Sequence, residues 1–153
     1  MTYVNAGSLV DTAWVADHLD DPNVRILDGS YHLAATGRNG KAEYQEAHIP
    51  GTIHFDIDAV CDPAPTPSPH MFPSADDFSA AVGAMGISND QRVIVYDADG
   101  LFSAPRVWWM FRAFGHENVA VMTGGFRKWQ AEDRPVTADI PSFAAATFSA
   151  SLD

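Results

Sequence analysis

The chain has 153 residues, 46% of them apolar and 19% charged, and its 20 acidic against 9 basic side chains give a net charge of −11. That balance argues against nucleic acid or anionic lipid as a partner, since both need a basic face; one cysteine rules out an internal disulfide or a cysteine metal cluster. A single domain of ordinary composition is expected, and a cytoplasmic one, because no apolar run reaches the ~18 residues of a membrane span and no basic-then-apolar leader opens the chain.

Leu9-Val10 reads as a short strand running into the cap Asp11-Thr12, with a helix over residues 13–19. Val24–Asp28 reads as a strand, followed by a polar loop over 29–40 and a short helix over 42–46. Pro50-Gly51 marks a turn before a strand over 52–55. Residues 62–73 hold five of the ten prolines and predict a stiff surface loop, since proline brings no backbone N–H to a helix or ladder. Ser74 with Asp77 three residues on predicts a capped helix that runs to about Met85 and stops at Gly86. A buried strand over 93–96, a loop over 97–103 and a helix over 104–112 follow, then a strand at Val119–Met122, Gly124-Gly125 and a last helix over 126–132. Strands alternating with helices predict an α/β domain with a mostly parallel sheet of about five strands, covered on both faces. From Pro135 onward the chain is rich in Ala, Ser and Thr and lacks periodicity, so the domain is expected over 1–137 with an interdomain linker starting at 138–153.

The loop after Val93-Ile94-Val95-Tyr96 is where such a sheet places a ligand, because a helix N-terminus and the carboxyl end of a strand offer free N–H groups to an anion. A cysteine there would be an activated thiolate. Asp97 stands there instead. Cys61 lies just before the proline loop and reads as a small, partly buried side chain rather than a nucleophile. Asp97 and Asp99 also mimic the first motif of haloacid-dehalogenase-type phosphatases, but only Lys128 follows and no Gly-Asp-x-x-x-Asp appears downstream, so a solvated turn is expected. Arg106 is expected to pair with Asp97 or Asp99. The aromatic helix Trp108-Trp109-Met110-Phe111 cannot turn every ring to one core, so one ring is expected to face outward. His48 and His54 show no ligand partners at useful spacing, and neither a metal nor a cofactor is expected.

Several pieces resemble the rhodanese (sulfurtransferase) superfamily: Arg25-Ile26-Leu27-Asp28, His48-Ile49-Pro50-Gly51-Thr52-Ile53 and Gly124-Gly125-Phe126-Arg127-Lys128-Trp129. Ala104-Pro105-Arg106-Val107-Trp108-Trp109-Met110-Phe111 narrows the likeness to the first, non-catalytic half of two-domain thiosulfate and 3-mercaptopyruvate sulfurtransferases. The resemblance implies an aspartate at Asp97 where the other half carries its cysteine. It further implies Tyr31 and Phe102 as walls of a cleft shared with a C-terminal catalytic domain. Pro69-His70-Met71-Phe72-Pro73 resembles the mercaptopyruvate branch, and Asp58 matches a carboxylate proposed to assist that histidine. By this resemblance Asp58 and His70 are assisting catalytic residues. The parent would pass sulfane sulfur from 3-mercaptopyruvate (or thiosulfate), through a persulfide, to a thiol, a thioredoxin-like acceptor or cyanide. This chain alone would be inactive. The alternative is a stand-alone, non-catalytic rhodanese-like module that binds a partner.

Overall fold

Alternation along the central strand sets the layers of the molecule. The computed structural model describes residues 6–63 and 71–152. Its strands are β1 (Leu9–Val10), β2 (Val24–Asp28), β3 (Thr52–His54), β4 (Arg92–Tyr96) and β5 (Val119–Met122). They form one sheet in the order β1-β5-β4-β2-β3, and every pairing is parallel. In β4, Val93 and Val95 face one core while Ile94 and Tyr96 face the other, as a period of two demands.

The helices are α1 (Thr12–Asp17), α2 (Gly40–Glu46), α3 (Ala75–Ala84), α4 (Ala104–Ala113) and α5 (Gly125–Ala131). Phe78 and Val82 of α3 and Val107, Met110 and Phe111 of α4 close over the first face. Val15 of α1 and Trp129 of α5 close over the second, with Ile49 from the Pro-Gly turn. Both faces are covered, as an all-parallel sheet requires. Three helix starts are set by side-chain caps: Asp11 accepts from Trp14 N, Asn39 from Ala42 N and Ser74 from Asp77 N.

Boundaries differ from the sequence reading in informative places. Helix α2 starts at Gly40, because Asn39 caps it and only a bare Cα fits beside Ser30, whose carbonyl oxygen would lie 2.5 Å from a Cβ. Helix α1 stops at Asp17, where His18 Nδ1 bonds back to Trp14 O at 2.6 Å. The tail has no helix or strand beyond a single bridge between Thr137 and His48, yet it is not loose. Residues 138–152 lie along the domain as a strap: Ala146 N donates to Gly83 O, Ser151 N to Phe114 O, and Phe148 is buried among Phe78, Phe111 and His116.

Candidate functional site

The carboxyl ends of β2, β3 and β4 lie side by side, and the loops leaving them build the site. After Tyr96 the chain bends around its own aspartate. Asp97 is 1% exposed. Its Oδ1 accepts from Asp99 N (3.0 Å) and Gly100 N (2.5 Å), and its Oδ2 from Phe102 N, Ser103 N and Ala104 N, each at 2.8 Å. Five converging N–H groups at the start of α4 make an anion cradle, and the carboxylate of Asp97 occupies it. The solvated turn expected for this segment is therefore wrong: the carboxylate is sealed in, because the loop's donors have no other acceptor of the right size and charge.

Neighbouring loops hold the cradle in place. Ser103 Oγ donates to Gly29 O (2.7 Å) and accepts from Tyr31 N (3.0 Å), tying the β4 loop to the β2 loop. Phe126 N donates to Asp97 O at 2.8 Å. A Cβ on Gly125, whose φ is +66°, would lie 2.7 Å from Asp97 O and 2.5 Å from Gly100 N. Arg106 does not serve Asp97 or Asp99 as expected. Asp99 is held by Arg127 (3.3 Å) and, more distantly, Arg38 (3.9 Å), while the Arg106 guanidinium sits 5.0 Å over the ring of Phe72.

Tyr31 and Asp58 line one cleft of about 170 Å³ with Ser30, His32, Arg38 and His54. Phe102 stands at 54% exposure on the Asp97 loop, whose next residue, Ser103, holds Tyr31 N. Asp58, Tyr31 and Phe102 thus come from the three adjacent loops at one end of the sheet. His70 lies outside the described residues. Cys61 is partly buried, as read, with Sγ donating to Asp58 O at 3.2 Å. Trp109 is the ring of α4 that faces outward, 55% exposed and packed on Phe72, whereas Phe111 and Phe114 are buried.

On the other side of Asp99, Tyr44, Tyr96, Phe126 and Arg127 line a second cleft of about 330 Å³. Burial, helped by the Asp28 carboxylate, pushes the Tyr44 phenol up to about 12, so it stays a neutral donor to Thr52 O. His48 is buried, with its ring nitrogens against Tyr44 O (2.6 Å) and Asp139 O (2.7 Å), so it joins α2 to the strap. Sequence reading missed two residues of the site. Ser103 carried no signal, since only the tertiary fold brings Gly29 and Tyr31 to it. Asp28 did carry one: it is the polar residue that closes the strand read over Val24–Asp28, at the carboxyl end where such a sheet places its ligands.

A five-stranded parallel sheet with a strand-to-helix anion loop defines an α/β domain whose ligand end is the carboxyl edge of the sheet. The family model for the rhodanese-like domain matches residues 11–132, and the chain belongs to that family. Among relatives it is 46% identical to thiosulfate sulfurtransferase of Cricetulus griseus, over 95% of this chain and 50% of that protein. It is 43% identical to 3-mercaptopyruvate sulfurtransferase of Rattus norvegicus, over 95% of this chain and 51% of that one. The crystal structure of the 3-mercaptopyruvate sulfotransferase SseA from Escherichia coli superimposes with a TM-score of 0.89 at 38% identity, covering 95% of this chain and 56% of SseA. The chain spans about half the length of the curated relatives it matches.

Proposed function

We propose that this domain is the non-nucleophilic half of a two-domain sulfurtransferase acting on 3-mercaptopyruvate or thiosulfate. The observation that carries the reading is the Asp97 carboxylate, which takes up the five converging N–H groups of the cradle. A cradle filled by its own side chain has no room for a donor anion and no sulfur to be loaded. The chain's cysteine, Cys61, lies outside this cradle, with its Sγ bonded to the backbone oxygen of Asp58.

In this reading a cysteine thiolate on a second, C-terminal domain attacks the outer sulfur of thiosulfate or the thiol sulfur of 3-mercaptopyruvate. The new S–S bond makes the persulfide; the donor's S–S bond breaks to release sulfite, or its C–S bond breaks to release pyruvate as an enolate that takes up a proton. A thiol, a thioredoxin-like reductant or cyanide then takes the outer sulfur and restores the thiolate. This domain supplies the facing wall with Tyr31 and Phe102. It also lends Asp58 and His70 as an acid–base pair: the carboxylate orients the imidazole, and the imidazole moves a proton at the mercaptopyruvate donor. No cofactor takes part.

Peptide mapping of the full-length parent after donor treatment tests the assignment. The added sulfur should be found on a cysteine outside residues 1–153. Sulfur on Cys61, turned over by cyanide, would overthrow it. A parent with no further cysteine-bearing domain would favour the stand-alone binding module instead.

A further inference from the structure

A serine at the start of a helix normally turns its hydroxyl onto that helix's own free N–H groups. Ser103 opens α4 and makes no such cap. The carboxylate of Asp97 already takes the N–H groups of Phe102, Ser103 and Ala104, each at 2.8 Å, so the hydroxyl is left to bond elsewhere. It crosses to the β2 loop: Ser103 Oγ donates to Gly29 O at 2.7 Å and accepts from Tyr31 N at 3.0 Å, 72 residues away in the chain. Gly29 lets the two loops come this close, because a Cβ there would lie 2.9 Å from Val107 Cγ2 and 3.1 Å from Val95 Cγ1. The bridge is shielded from water, Ser103 being 6% exposed.

This one residue lies between two side chains of the site. Phe102 precedes it in the chain, with its N–H fixed on Asp97, and the backbone of Tyr31, which lines the cleft with Asp58, is held by its hydroxyl. We propose that Ser103 is a positioning residue: it touches no substrate, and it keeps Tyr31 in register with Phe102 so that the wall facing the second domain holds its shape. The proposal rests on the function proposed above for that wall; the bridge itself is a property of this chain alone. Without the hydroxyl, Gly29 O and Tyr31 N lose this partner, and the β2 loop moves outward to satisfy them with water. Phe102 stays, because Asp97 still holds its N–H. The wall then opens on the Tyr31 side. A wall grips the donor alike before and during reaction, so its distortion raises KM and leaves kcat in place.

Steady-state kinetics of the full-length parent test this, with Ser103→Ala, Tyr31→Ala and the two combined. Ser103→Ala should raise KM for the sulfur donor about tenfold, the order of one hydrogen bond, at unchanged kcat, and Ser103→Thr, which keeps the hydroxyl, should restore it. In the Tyr31→Ala background the serine change should add nothing, since the ring it positions is gone. Gly29→Ala presses the β2 loop off α4 with the hydroxyl intact, and it serves if Ser103→Ala does not fold. It should raise KM in the same way and again add nothing to Tyr31→Ala. A fall in melting temperature with KM unaltered, or effects of Ser103 and Tyr31 that simply add, would overturn the proposal. A parent that moves no sulfur refutes the proposed function instead, and the bridge is then read by amide exchange in the 153-residue chain. Exchange at Tyr31 should quicken about tenfold in Ser103→Ala, while that at Ala104, held by Asp97, does not. Unchanged exchange at Tyr31 would overturn the bridge as well.

Discussion

Asp97 has the surroundings of a bound anion, and its chief contribution is to hold the loop. Truncating it leaves five N–H groups pointing at an empty, buried space. Asp97→Ala is therefore expected to cost about 2–4 kcal/mol in urea unfolding, and added sulfate should recover part of the loss by entering the vacated cradle. Asp97→Asn should be nearly as damaging, since one face of the amide would turn N–H groups toward N–H groups. An Asp97→Ala chain as stable as the parent would show that the loop does not depend on its carboxylate. His116 makes a second residue-scale prediction. Burial lowers its pKa from 6.5, and its Nε2 lies unpartnered near Phe148. With the folded pKa below the unfolded one, the unfolded chain takes up the proton first as pH falls. Stability from this group is full above about pH 6.5 and declines below it. His116→Asn, which does not titrate, should flatten the difference in melting temperature between pH 7 and pH 5. Parallel curves for the two proteins would remove His116 as the cause.

Secondary elements were legible wherever local chemistry alone decides them. Val119–Met122 is an apolar run between turn residues, Val24–Asp28 a β-branched and aliphatic stretch closed by Asp28, and Ser74 caps α3 as its spacing with Asp77 implies. Local chemistry places Gly40 in a loop, because its role depends on Ser30, ten residues back. The strap was read as featureless for a similar reason. It follows no period, being fixed by scattered backbone bonds and one anchor, Phe148, against an α3 kept bare at Gly83. Phe148→Ala should thus cost about 3 kcal/mol, as for a buried core ring, whereas a tail lying loose would lose nothing. The contact of α5 with the cradle is stricter still. Gly125→Ala must push backbone against Asp97 O at a positive φ, and a loss of at least about 1 kcal/mol is expected, read from the melting temperature.

For the molecule as a whole, fold and family were visible in the order of short motifs, because parallel sheets repeat one simple pattern. The location of the candidate site was visible too, at the strand end that holds Asp97. Its inner chemistry was not: which cations meet Asp99 and which groups Ser103 joins depend on residues tens of positions apart. Leu101, Phe102, Trp109 and Met71 are large apolar side chains exposed in the described residues, and under the proposed function those of the Asp97 loop would meet the second domain. Whether this domain can itself carry sulfur is the most direct question, and intact-mass analysis of the 153-residue chain after incubation with thiosulfate or 3-mercaptopyruvate answers it. The account predicts an unchanged mass with both donors. A chain that gains one sulfur atom on Cys61 and releases it to cyanide over repeated turnovers would contradict it.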